Sequence, residues 1–129
     1  MSKIPVIAIF DVGKTNKKFF LINEEYSIVL ERSTPFTEIK DEDDDACDDV
    51  NRLSKWVKES LTEILLFKEF EVKAVNFSAY GASFVYINES GEVVAPLYNY
   101  LKSYPGGLKS ELYSRYGGVE KISCETASP

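Results

Sequence analysis

An α/β fold built on a mixed sheet is what this sequence predicts, and three observations predict it. Two apolar runs of strand length flank one polar turn, a third such run follows at once, and a single long helical stripe then precedes a fourth run. Strands joined by short turns make an antiparallel meander, whereas a strand reached through a helix lies parallel to the first. At 129 residues, 44% hydrophobic and 28% charged, the chain has the size and balance of one globular domain.

The first strand is Val6-Ile7-Ala8-Ile9-Phe10, long enough for a buried strand and short for a helix. Phe19-Phe20-Leu21-Ile22, aromatic and branched, is the second. Between them stands Asp11-Val12-Gly13-Lys14-Thr15-Asn16-Lys17-Lys18, with a carboxylate, a glycine, hydroxyl and amide side chains and three lysines. That inventory suits a phosphate and its metal, although Gly and Asn are also ordinary residues of a polar hairpin turn. Gly13-Lys14-Thr15 spells the end of a P-loop, but Ala8 stands where the first P-loop glycine is needed, and a strand follows instead of a helix.

Tyr26-Ser27-Ile28-Val29-Leu30-Glu31 is the third strand, after the turn Asn23-Glu24-Glu25, and Pro35 breaks the pattern. The acidic run Asp41 to Asp45 lacks the glycine and closing glutamate of a calcium-binding EF-hand loop. It reads as a solvated linker that ends in a helix cap, since acids favour a helix start. From Asp49 to about Phe67 the residues Val50, Leu53, Trp56, Val57, Leu61, Ile64 and Leu65 recur at helical spacing. Val72 to Ser78 is then a strand parallel to the first.

Ser78 to Ser83 is small and flexible. Phe84-Val85-Tyr86-Ile87 reads as a strand, Asn88-Glu89-Ser90-Gly91 as a turn, and Leu108 to Tyr116 as a short helix ended by Gly117-Gly118. Small residues at a strand end let a ligand approach the backbone; a plain connection between strands needs the same residues.

Composition narrows the function. The chain has no histidine, so a histidine metal site or histidine base is excluded, and chemistry must rest on carboxylates, lysines or bound metal. The net charge of −6 argues against nucleic acid. No apolar run approaches the roughly 18 residues that span a bilayer. The start Met-Ser-Lys-Ile-Pro-Val is too short in apolar residues for a secretory signal, so a cytoplasmic protein with free thiols at Cys47 and Cys124 is expected.

The order of three strands, helix and strand, with an Asp-x-Gly turn between the first two, resembles the first half of an actin-like ATPase (ribonuclease H-like) domain. Within that group the sequence is similar to the N-terminal part of FGGY carbohydrate kinases, of the rhamnulokinase, xylulokinase and fuculokinase kind. Their signature Asp-x-Gly-Thr-Thr/Ser, two residues, Arg/Lys stands here as Asp11 to Lys18, with Lys14 in place of threonine. Phe77 to Ile87 resembles their sugar-binding strand and turn, with Ser83 where rhamnulokinases carry aspartate. Gly91 to Tyr100 resembles the segment that delivers an aromatic residue to the sugar, and Ser123 to Pro129 resembles their Thr-Gly-x-Pro region.

The resemblance implies ATP and magnesium as cofactors and a sugar, a ketose or deoxy-ketose, as acceptor. Asp11 would act on the magnesium shell, and Gly13, Lys14, Thr15, Asn16 and Lys18 would meet the phosphates. Tyr80, Gly81, Ala82, Ser83 and Tyr100 would meet the sugar. The family's general-base aspartate is expected beyond Pro129 and its adenosine pocket in a second domain, so residues 1–129 are expected to be inactive alone. An uncovered sheet edge or face is expected too, one that invites a second copy. Two other readings stay open: a non-catalytic actin-like binding or regulatory module, and an actin-like kinase of the acetate or activator type.

Overall fold

The computed structural model describes residues 2–127. The fold is the expected mixed α/β arrangement. Strands β1 (Ile4–Val12), β2 (Asn16–Asn23) and β3 (Ile28–Pro35) form the meander, and β4 (Ile39–Lys40) and β5 (Ala46–Cys47) form a small separate pair. Helix α1 (Val50–Leu65) and strand β6 (Phe70–Ala79) follow, then α2 (Leu108–Arg115) and α3 (Val119–Thr126). The main sheet runs β3-β2-β1-β6, with β6 parallel to β1.

Alternation along the strands sorts the two faces of this sheet. Val6, Ala8 and Phe10 of β1 and Phe19 and Leu21 of β2 are buried, and Ile64 of α1 closes over them. Trp56 meets Phe10 edge-on at 5.4 Å, and Val57 and Leu61 pack on the same cluster. This aromatic and aliphatic burial is the main stabilising term of the domain. Arg32 of β3 adds a paired bond to Glu63 of α1 (2.6 and 3.0 Å), which lifts the guanidinium pKa and lowers that of the carboxyl. The helix starts where Asp49 accepts from the Arg52 N–H at 2.8 Å, the cap expected from the acidic run.

Several boundaries differ from expectation. Tyr26 lies in a turn with φ of 59° rather than in a strand, because the Asn23 side chain accepts from the Ser27 N–H and holds a tight loop. Leu65 ends α1 exposed, outside the buried stripe. Phe84 to Ile87 is not a strand of the sheet: it makes one bridge, Ile87 to Val93, around the Asn88 turn. All four of its residues stay exposed, so no face of it is buried and no ladder on β6 is gained. Ser123 to Thr126 belongs to α3, while Ser128 and Pro129 lie outside the described residues. The helix at Leu108 ends at Gly117 (φ +91°) as expected. Cys47 is buried, Cys124 exposed, and both are free thiols; burial pushes the Cys47 thiol pKa up.

Candidate functional site

Parallel neighbours β1 and β6 end side by side, with Val12 opposite Ala79 and the Tyr80 N–H donating to the Val12 carbonyl at 3.2 Å. Both candidate turns, Asp11 to Lys18 and Tyr80 to Ser83, therefore sit together at the carboxyl ends of parallel strands. Ligands of open α/β sheets gather at that place.

In the first turn Asp11 and Lys18 are direct cross-strand partners, so their side chains share the sheet face turned away from α1. Lys18 lies 3.8 Å from Glu31, an exposed and weak pairing. Gly13 is required by crowding: a Cβ there would stand 2.7 Å from the Asn16 carbonyl oxygen, which is backbone and cannot swing aside. Thr15 and Asn16 are exposed. Lys14 is 3.6 Å from Glu38, and Glu38 also accepts from the Asn99 amide at 2.6 Å. Lys14 is thus tied to the segment that carries Tyr100. Lys14, Glu38, Asn99 and Lys102 border a hollow of about 460 Å³.

Lys17, one residue from the lysine of the signature, is the residue at this turn whose placement sequence reasoning missed. It points the opposite way from Lys18 and is 2% exposed. Its ammonium donates to the Gly13 carbonyl (2.7 Å) and the Lys14 carbonyl (2.9 Å) and lies over the rings of Phe36 (5.1 Å) and Tyr80 (5.7 Å). Burial lowers its pKa, the Asp48 carboxylate opposes that shift, and Lys14 adds to it. The signal was present in the sequence: Lys17 alternates with Phe19 and Leu21, so it had to point inward.

The second turn is built on Tyr80, whose hydroxyl donates to Asp48 at 2.6 Å. Burial, and then that bond, push its pKa well above the ordinary tyrosine value. Tyr80 and Tyr100 meet edge-on at 6.1 Å, so the two expected sugar-facing aromatics are brought together, with Tyr100 51% exposed. Gly81 stands in open space, and Ala82 takes a left-handed φ of 53°. The Ser83 hydroxyl oxygen is enclosed and has no hydrogen-bond partner among the described residues.

Residues 97–102 are docked on this region by polar contacts. The Asp48 N–H donates to the Leu97 carbonyl at 2.8 Å, Tyr98 donates to Asp41, and Lys102 pairs with Asp45 at 2.6 Å. The Asp41 bond lifts the Tyr98 hydroxyl to about 12, and the Tyr98 bond holds the Asp41 carboxyl below the ordinary range. Asp41 otherwise closes its own loop, accepting from the N–H groups of Asp43 and Asp45. Among the described residues no group of three or more acids or cysteines is placed to hold a metal ion. Asp11 alone still fits magnesium, which keeps several waters and is held through one or two carboxylates plus phosphate oxygens.

No family model and no curated protein matches the sequence. Solved structures do match in fold. A carbohydrate kinase from Novosphingobium aromaticivorans superposes with a TM-score of 0.72 at 16% identity, over 88% of this chain and 23% of that one. The ligand-bound xylulose kinase of Lactobacillus acidophilus gives 0.62 at 19%, over 73% and 19%. Plasmodium falciparum glycerol kinase with ADP gives 0.64 at 14%, over 91% and 24%. The chain spans between 19% and 24% of the length of these kinases. Its fold is that of the N-terminal part of actin-like sugar kinase domains. Among the described residues no helix is long and apolar enough to cross a membrane.

Proposed function

We propose that residues 1–129 are the N-terminal part of the first domain of an ATP-dependent carbohydrate kinase of the FGGY type, which phosphorylates a hydroxyl of a ketose or deoxy-ketose. The observation that carries this reading is the meeting of the Asp11 to Lys18 turn with Tyr80 at the ends of β1 and β6. Magnesium, when bound, supplies charge neutralisation at the transferring phosphoryl group. Asp11 would hold magnesium through its water shell, and Gly13, Thr15, Asn16 and Lys18 would contact the phosphates through backbone N–H groups and side chains.

Lys14 is drawn toward Glu38 and acts at the sugar side of the turn, as a charge that Glu38 offsets. Tyr100 and Tyr80 offer aromatic faces to the apolar C–H surface of the sugar, Gly81 and Ala82 leave room, and the enclosed Ser83 hydroxyl, without a partner among the described residues, would have to turn outward to meet a sugar hydroxyl. The base that takes the hydroxyl proton and the adenosine pocket are supplied by other parts of the kinase. The sheet face turned away from α1, with Ile7 at 42% exposure, and the open β6 edge on the α1 side, with Phe77 at 55%, are the surfaces those parts cover. An ATP-dependent phosphorylation assay over a panel of ketoses and deoxy-ketoses tests this. The 129-residue chain should show no turnover and the full reading frame should; robust turnover by the short chain contradicts the assignment.

A further inference from the structure

Trans peptide geometry makes the two bonds of Lys17 informative. In a planar trans peptide the carbonyl of one residue and the N–H of the next point in opposite directions. The Gly13 and Lys14 carbonyls both point to the Lys17 ammonium. The N–H groups of Lys14 and Thr15 therefore point away from it. Among the described residues neither N–H has an acceptor.

We propose that Lys17 is the positioning residue of this turn: its buried ammonium holds the Gly13 and Lys14 carbonyls inward and so presents the Lys14 and Thr15 N–H groups, as a pair, to a phosphate. This deepens the kinase reading and rests on it for the identity of the anion. The environment of Lys17 is built for a fixed cation. Phe36 and Tyr80 wall it with aromatic faces, and Asp48 supplies the opposing charge while its Oδ2 accepts from Tyr80. Lys14 repels Lys17 where it stands, and Asp48 offsets that repulsion. Lys17 does not touch the phosphate; it acts through the two peptide planes. A flexible hairpin would have to order those planes on binding, so preordering them strengthens anion capture.

The test uses the isotope-labelled chain, with magnesium tripolyphosphate as the probe. In the wild type the Lys17 ammonium should give a slowly exchanging signal coupled through its hydrogen bonds to the carbonyl carbons of Gly13 and Lys14; absence of that coupling overturns the proposal. Lys17→Met keeps the length of the side chain and removes its donors. It should move the amide resonances of Lys14 and Thr15 while leaving Leu21 and Leu30 in place, and should weaken tripolyphosphate binding about tenfold. Unmoved amides overturn the proposal, as does unchanged binding. If Lys17→Met does not fold, the wild-type coupling decides alone. If the wild type ignores tripolyphosphate, presentation to a phosphate is overturned; if it binds tripolyphosphate at this turn but not magnesium ATP, the kinase reading is what fails.

Discussion

The sheet and α1 and the segment after Ala79 are held together by different physics. In the first, Val6, Ala8, Phe10, Phe19, Leu21 and Ile64 are buried against one another, and alternation and helical spacing dictate each contact. In the second, α2 and α3 bury no residue, and residues 97–102 stay in place through Asp41, Asp48, Glu38 and Asp45. The Asp11 to Lys18 turn belongs to the first region and Tyr100 to the second. A candidate site thus has one half set by core packing and the other by polar docking, and the two halves should fail under different conditions.

The largest contrast is expected in the core. Phe10→Ala should cost about 3–5 kcal/mol in urea unfolding, because the ring touches Phe19, Trp56 and Phe77. A loss below about 1 kcal/mol would mean the packed core described is not the stabilising unit. Gly13→Ala should cost about 1–3 kcal/mol, and it should disturb the amides of Lys14 to Asn16, since the new methyl meets backbone. Asp49→Ala removes the α1 cap, with an expected loss of about 1 kcal/mol.

The docked segment should respond to pH where the core does not. The Asp41 carboxyl is held below its ordinary value, so its contribution is present above about pH 4 and is lost as pH falls through the lowered pKa. Tyr98 is raised, so its contribution is full below the ordinary tyrosine value of about 10 and is lost as pH climbs toward about 12. Amide exchange at Tyr98 to Leu101 should quicken at both extremes while β1 and β2 stay protected. Uniform behaviour across the chain would erase the contrast. The smallest effect is expected for Leu112→Ala on α2, within about 0.5 kcal/mol, since Leu112 is 50% exposed.

The same division explains what the sequence made legible. The meander, α1 and the parallel β6 follow from periodicity, which reports burial directly. The position of Tyr80 beside the Asp11 turn follows too, because parallel strands place their ends together. Phe84 to Ile87 was misread since an apolar run signals a strand only where something covers it, and here nothing does. The docking of 97–102 was illegible for another reason: Asp48 to Tyr80, Asp41 to Tyr98 and Glu38 to Asn99 join residues far apart in sequence with no period to mark them. Lys17 was overlooked although its alternation with Phe19 was plain, because a lysine in a basic turn reads as a surface charge.

As proposed, the Asp11 to Lys18 turn is the phosphate-binding half of a nucleotide site. Titrating the labelled chain with magnesium ATP while following every amide tests it most directly. The shifts should saturate and concentrate on residues 11–18, with Tyr80 following and α2 and α3 unmoved. Shifts that avoid this turn, or no shifts at all, would contradict it.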